Sequence, residues 1–144
     1  MINVIADSKN KQVEFKLSNI KFNMLKYIRS ALFEIGAENT QLIKKYIYRP
    51  PKTGRIYSYR GRPHQASAPG ESPANRSGLL ARSVTYHVHM SVEVELIASA
   101  KYANWLEDGT SKMLPRPYFI RAINAKRRDN LRSFERHVYN NLMK

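Results

Sequence analysis

From Val84 to Ala98 the chain alternates without a break, and no other feature constrains the fold as strongly. Val84, Tyr86, Val88, Met90, Val92, Val94, Leu96 and Ala98 share one parity, while Thr85, His87, His89, Glu93 and Glu95 share the other. Successive side chains of a strand point to opposite faces, so this spacing predicts extended chain with one face in a core and one in water. Strands longer than about ten residues are uncommon. The run is therefore expected to be a hairpin turning near Met90-Ser91, although no Asn-Gly or Gly-Gly marks the turn.

A hairpin with one apolar face needs something to cover it. Two segments have the helical period for that. Between Asn19 and Ile47, residues Ile20, Met24, Leu25, Ile28, Ala31, Leu32 and Ile35 recur at steps of three and four, and Leu42, Ile43 and Ile47 resume the stripe. Ser18 or Asn19 can cap the start. Gly36 lies inside the stripe at a cost of roughly 1 kcal/mol relative to alanine, so it marks either a kink or a close approach by another element. A last helix is expected over about 116–142, with Pro115 and Pro117 at its start and Ile120, Ile123, Leu131, Phe134, Val138 and Leu142 as its apolar stripe, Arg127 filling one step.

Two other regions read differently. Residues 2–6, INVIA, and 12–18, QVEFKLS, suggest two short strands joined through DSKNK, because Val13, Phe15 and Leu17 alternate with Glu14 and Lys16. Residues 48–78 hold five of the seven prolines and four of the six glycines. Long loops of this kind in compact domains are functional or disordered. An arm over about 48–75 is expected, with a small hairpin around Ile56–Tyr59, and a turn or helical piece follows at 77–82. The whole is one α+β domain, 1–144: an antiparallel β-sheet packed against two long α-helices, with a long extended loop or arm between the first helix and the central hairpin.

Composition narrows the chemistry. There are no cysteines, which removes disulfides, zinc-thiolate sites and thiol nucleophiles and fits a reducing compartment. The N-terminal residues lack the pattern of a signal peptide, and no run approaches the roughly 18 apolar residues of a membrane span. A soluble, intracellular protein is expected. The net charge is +14 and unevenly spread: seven Lys/Arg and no acid from Lys44 to Arg62, and six Lys/Arg against Asp129 and Glu135 from Arg121 to Arg136. Such a field attracts polyanions or acidic protein surfaces. For the C-terminal run a solvated basic face is an equally good reading.

Three constellations bear on function. His87 and His89 share a strand face that Glu93 and Glu95 can join across the hairpin, a metal-ligand pattern that strand alternation also produces by accident. No metal and no cofactor are expected. Glu107 and Asp108 are adjacent, so their side chains diverge rather than converge on one reacting atom. No nucleophile elbow or phosphate-binding loop occurs, and catalytic residues are not expected. In YRPPKTGRIYSYRGRPH, by contrast, Tyr48, Tyr57 and Tyr59 interleave with Arg49, Lys52, Arg55, Arg60 and Arg62. Cations beside stacking platforms suit single-stranded nucleic acid, and cations alone suit a duplex backbone. An arm docked on a neighbouring subunit also favours tyrosine and arginine.

Two further segments carry a resemblance. APGESPANRSGLLARSV, residues 68–84, resembles the Pro-Gly-Glu-x-Pro … Thr/Ser-Gly-x-Leu-x-x-Ser-Val/Ile segment of the head–tail joining proteins of long-tailed bacteriophages, also called tail-completion, neck or minor capsid proteins. YANWLEDGTSKMLPRPYFIRAI, residues 102–123, is similar to that family's Tyr-Ala-x-x-x-Glu-x-Gly-Thr … x-x-Arg-Pro-Phe/Tyr hallmark. The resemblance implies a non-enzymatic virion component. It would form a homo-oligomeric ring, six- or twelve-fold, between the portal, adaptor and stopper proteins and the tail terminator or tail tube protein. Its place would be the virion neck, reached from the host cytoplasm during assembly, with packaged double-stranded DNA as a further contact and no membrane. Gly78, Leu79 and Ser83 match the first motif, and Tyr102, Glu107, Gly109, Thr110, Arg116 and Pro117 the second, as fold and interface residues. Arg49, Lys52, Arg55, Tyr57, Tyr59, Arg60 and Arg62 would be the arm's partner or DNA contacts. A free-standing basic nucleic-acid-binding protein is the alternative.

The acidic turn completes the reading. Gly109 allows a positive φ, and Asp108 and Thr110 can bond nearby backbone. Glu107 is then free for a cation. Pairing with Arg116 or Arg76 would lock the bend and orient Trp105 against the core or the next subunit.

Overall fold

The computed structural model describes residues 8–49, 52–90 and 93–142. In chain order the elements are α1 (Ser8–Tyr48), β1 (Ile56–Tyr59), β2 (Arg62–Gln65), α2 (Leu79–Arg82), β3 (Val84–His89), β4 (Glu93–Ala98), α3 (Ala103–Asp108) and α4 (Phe119–Leu142). The fold is α+β, with two long helices and, among the described residues, two separate antiparallel two-stranded sheets.

The alternating run folds as the expected hairpin. Val84 pairs with Ala98, Tyr86 with Leu96 and Val88 with Val94, so one face carries the apolar set. His87 pairs with Glu95 and His89 with Glu93 on the wet face. Met90, with φ 46°, begins the reversal.

Helix α1 is the common support, with β3, β4, α2 and α4 all packed on it. It is 41 residues long, roughly 60 Å at 1.5 Å per residue. This corrects one expectation. Residues 12–18 are helical, and α1 starts at Ser8 rather than Asn19. The alternation of Val13, Phe15 and Leu17 spans only three apolar positions. Val13, Leu17, Ile20 and Met24 also step by four, three and four. No Gly or Pro lies between Ser8 and Ile35 to stop the helix from extending. The other proposed strand, residues 2–6, lies outside the described residues.

Gly36 marks a close approach. A Cβ there would lie 2.8 Å from Cε2 and Cγ of Tyr86, and nearer still to Cδ2. Tyr86 in turn meets Phe33 edge-on, with ring centroids 6.2 Å apart. Without a side chain, α1 lets the β3 ring sit against its backbone. Gly36→Ala is expected to gain about 1 kcal/mol of helix propensity and to lose about 1–3 kcal/mol to overpacking. A net loss of roughly 1 kcal/mol should appear in urea denaturation as a lower midpoint at unchanged slope.

The core lies at the C-terminal end of α1. Ile43 and Ile47 meet Leu80 and Ala81 of α2, Val84 of β3, Ala103 of α3, and Tyr118 and Ala122 at the start of α4. Burial pushes the Tyr118 phenol pKa well above its ordinary value, with the nearby Glu107 carboxylate adding to the effect.

The α1–α4 seam departs from the expected apolar stripe. Ile120 and Leu131 face solvent, while Ala122, Lys126, Asn130 and His137 are turned inward to varying degrees. Asn39, 1 % exposed, exchanges amide hydrogen bonds with Asn130 at 3.1 and 3.2 Å. Lys126 pairs with Glu38, and His137 Nδ1 lies 3.2 Å from Glu34. The helices run antiparallel through these three contacts. Ile123, Phe134 and Val138 of the expected stripe are partly buried, but polar seam positions add nothing to a hydrophobic period, so counting apolar residues also turned Ile120 and Leu131 inward. The reciprocal amides also fix register, because sliding either helix would leave a buried amide unpaired.

Candidate functional site: two interlocked segments and a basic hairpin

Residues 68–84 and 102–123 come together in space. The Gly70 N–H donates to the Pro115 carbonyl at 2.9 Å, and Ser72 Oγ to the Pro117 carbonyl at 3.0 Å. From the other side, Arg116 Nε donates to the Ser67 carbonyl at 3.2 Å and Arg121 to the Gly70 carbonyl at 2.8 Å. Four bonds thus tie the first segment and its approach to the loop ahead of α4 and to the first turn of that helix.

Glu107 holds the second segment in shape, but not through an arginine. One carboxylate oxygen accepts the N–H groups of Tyr118 and Phe119 at 3.0 and 2.9 Å, and the other accepts that of Ile120 at 2.9 Å. These are donors at the start of α4 that no helical carbonyl can reach. A negative charge there also complements the helix dipole. Among the described residues Glu107 has no ion pair. Arg116 and Arg76 are engaged elsewhere, which overturns the expected pairing. Trp105 is 60 % exposed, so it is not held against the core.

The turn after Glu107 is built as expected in type. Gly109 has φ 80° and ψ −172°. Thr110 and Met113 exchange backbone hydrogen bonds at 2.7 and 3.2 Å, and Thr110 Oγ1 accepts the Lys112 N–H. The Arg116 N–H returns to the Leu106 carbonyl at 2.7 Å, closing the loop on α3.

In the first segment, the Gly78 carbonyl accepts the Arg82 N–H at the start of α2. Ser83 Oγ donates to the Leu80 carbonyl, and the Ser83 carbonyl accepts from Ser99. The core leucine is Leu80; Leu79, one residue earlier, is half-exposed. Tyr102 is half-buried against the core cluster.

The arm divides into a base and a tip. At the base, Lys52 Nζ donates to the Tyr46 and Ser72 carbonyls at 3.2 and 2.8 Å. Burial lowers its pKa, opposed by the Glu71 carboxylate. Lys52 therefore braces the base of the arm against its own chain. Glu71, which sequence reasoning passed over, accepts Thr53 Oγ1 at 2.6 Å and the N–H groups of Ala68 and Thr53 at 2.8 and 3.1 Å. Its signal was the Pro-Gly turn ahead of it, which aims a carboxylate back at its own backbone.

These bonds, led by the Thr53 hydroxyl and the Ala68 amide, hold the Glu71 pKa down to about 2 from its ordinary 4.5. A depressed folded-state pKa means that the stabilisation is complete above about 4.5 and is lost as pH falls through about 2. The amide resonances of Thr53 and Ala68 should titrate with a midpoint near 2, and Glu71→Gln should abolish that titration.

At the tip, Arg60 and Gly61 both have positive φ, 51° and 74°, the pattern of a tight two-residue hairpin turn. Tyr57 pairs with His64, and Tyr59 with Arg62, on one face. Arg76 crosses to this face, its guanidinium carbon 4.7 Å from the Tyr59 ring centroid, and Arg60 approaches the same ring at 5.5 Å. Arg49 and Arg55 are exposed outside this cluster.

On the wet face of β3–β4, His89 Nε2 lies 2.8 Å from Glu95. Among the described residues no three His, Cys, Asp or Glu side chains converge as a metal site. No described helix is long and apolar enough to cross a membrane. Compared with protein-family models, curated proteins and solved structures, the chain matches none.

Proposed function

We propose that this chain is a non-enzymatic structural protein of a bacteriophage neck, forming a ring that joins the head connector to the tail and completes the DNA conduit. The observation that carries this reading is the interlock of the two resembling segments. Residues far apart in sequence are bonded into one unit, and they use Glu107, Gly109, Arg116 and Pro117 for structure. That is how motif residues behave in a scaffold rather than in a catalyst. The same unit leaves Leu79, Trp105, Leu114 and Ile120 between 50 % and 66 % exposed. Large apolar side chains left outside a well-formed core suit an assembly interface. A ring requires a heterologous contact, one patch meeting a different patch on the next subunit.

The test is electron microscopy of particles made without the protein. Filled heads and free tails that fail to join are the expected result, and normal tailed particles would overturn the reading. Within it, Trp105→Ala should leave the isolated chain within about 0.5 kcal/mol of wild type in thermal melts, as for other exposed positions. It should nevertheless reduce ring formation in sedimentation or mass photometry.

The arginine and tyrosine cluster on the hairpin favours a second reading, a free-standing nucleic-acid-binding protein. Stoichiometric presence of the chain in purified virions separates the two.

A further inference from the structure

We infer that the concave face shared by the β1–β2 hairpin and the segment leading into α2 is a binding site for the phosphate backbone of duplex DNA, with Arg60, Arg62 and Arg76 as its contacts. The inference deepens the neck reading by naming what the arm tip touches, although the site itself stands on separate observations.

The concavity is about 600 Å³ and is lined by Tyr59, Arg60, Arg62, His64, Arg76 and Ser77 together with Pro63. An adjoining groove of about 290 Å³ shares His64, Arg76 and Ser77 and adds Arg116. Among the described residues, no carboxylate lines either one. Among the described residues, the guanidiniums of Arg60, Arg62 and Arg76 make no ion pair. By contrast, Lys52, Arg116 and Arg121 are engaged by this chain's own carbonyls. Among the described residues, the positive charge at the tip is therefore unneutralised and its donors are free.

Tyr59 organises the cluster. Its ring carries Arg76 at 4.7 Å and Arg60 at 5.5 Å. A guanidinium held against a ring keeps its N–H edge directed outward, the geometry that grips a phosphate with two donors. The same packing decides between nucleic-acid forms. With guanidiniums over Tyr59, and Tyr57 edge-on to His64 at 5.4 Å, the tyrosines are not open platforms for unstacked bases. Backbone contact with a duplex is what remains, and the dense, regular charge of DNA fits a chain of net charge +14 better than a local acidic patch does.

The experiment is fluorescence anisotropy of a short labelled duplex against the purified full chain across a salt series. Polyglutamate and the matching single strand serve as competitors. Each phosphate contact contributes about 0.9 to the slope of log K against log salt, so Arg60→Ala/Arg62→Ala/Arg76→Ala should lower that slope by roughly 2–3. A charge-matched control, Arg127→Ala/Arg128→Ala/Arg132→Ala on exposed positions of α4, should lower it by less. Tyr59→Leu, which keeps the charge, should weaken binding several-fold. Equal losses in the two triple variants would overturn the site. Tighter capture of polyglutamate would assign it to an acidic protein, and tighter capture of the single strand would assign it to base stacking; either result overturns the duplex assignment. The assay needs no virion. A negative result here leaves the ring reading standing, and absence of the chain from virions would leave this site standing.

Discussion

Glu107→Ala is expected to destabilise the chain by about 2–3 kcal/mol. Losing an N-cap acceptor alone costs roughly 0.5–2 kcal/mol, and hydrogen bonds to a charged group are worth about 1.5–3 kcal/mol. Here one carboxylate serves three donors, the N–H groups of Tyr118, Phe119 and Ile120. Water can replace it at Ile120, which is exposed, but not at Tyr118, which is 1 % exposed and in the core. That asymmetry places the total above a surface cap and below the sum of three bonds. For a chain of this length the melting temperature should fall by roughly 5–10 °C. Glu107→Gln keeps an acceptor oxygen but loses the charge, so about half the loss is expected. The change should be local at first. Amide exchange should rise at residues 118–121 before it rises along α1, and an equal rise in both places would show that Glu107 supports the core by some other route.

Gly109→Ala should cost about 3 kcal/mol or more, through backbone geometry rather than a lost contact. At φ 80° and ψ −172° the residue occupies a region essentially restricted to glycine, and forcing a side chain into such a region costs about 1–3 kcal/mol. A Cβ would also lie 2.6 Å from the Met113 carbonyl oxygen and 2.9 Å from the Pro115 nitrogen. Both are backbone atoms, and the Thr110–Met113 hydrogen bonds hold that backbone in place. Gly61 supplies the comparison. It also has positive φ, 74°, but nothing lies within 4 Å of its Cβ position. Gly61→Ala should therefore show the dihedral cost alone, roughly 1 kcal/mol. If the two substitutions had equal effects in chemical denaturation, the packed turn would not be the source of the loss at Gly109.

The two substitutions act on the ends of one device. Glu107 aims the first turn of α4, and Gly109 lets the chain fold back so that Glu107 can reach it. Pro115, Arg116 and Pro117 then lie where the first segment can bond to them. Sequence reading identified the residue types of this device and the glycine turn. With Asp108 and Thr110 given to the turn's backbone, Glu107 is left for a cation in that reading. Its actual partners are backbone N–H groups, which every residue except proline carries, so no side-chain pattern points to them. Arg76 is a second residue whose partner no local pattern gives. Its place over Tyr59 depends on how the hairpin folds back on the segment before α2, a contact between residues 17 positions apart.

Patterning by itself determined the hairpin at 84–98, the α+β class, the long helical stripe ending near Ile47, the ribbon at Ile56–Tyr59 and the turn at Gly109. Each of these rests on a local period or a backbone allowance that neighbouring residues impose on one another. The tertiary structure alone decided the polar α1–α4 seam, the Glu107 cap and the tie between the two segments. In each, a group gains its partner only when a distant stretch of chain arrives. Asn39 meets Asn130, Gly70 meets Pro115 and Glu71 meets Thr53. Polar and backbone groups left unpaired in a core cost more than apolar ones, so such pairings are what the completed packing must satisfy.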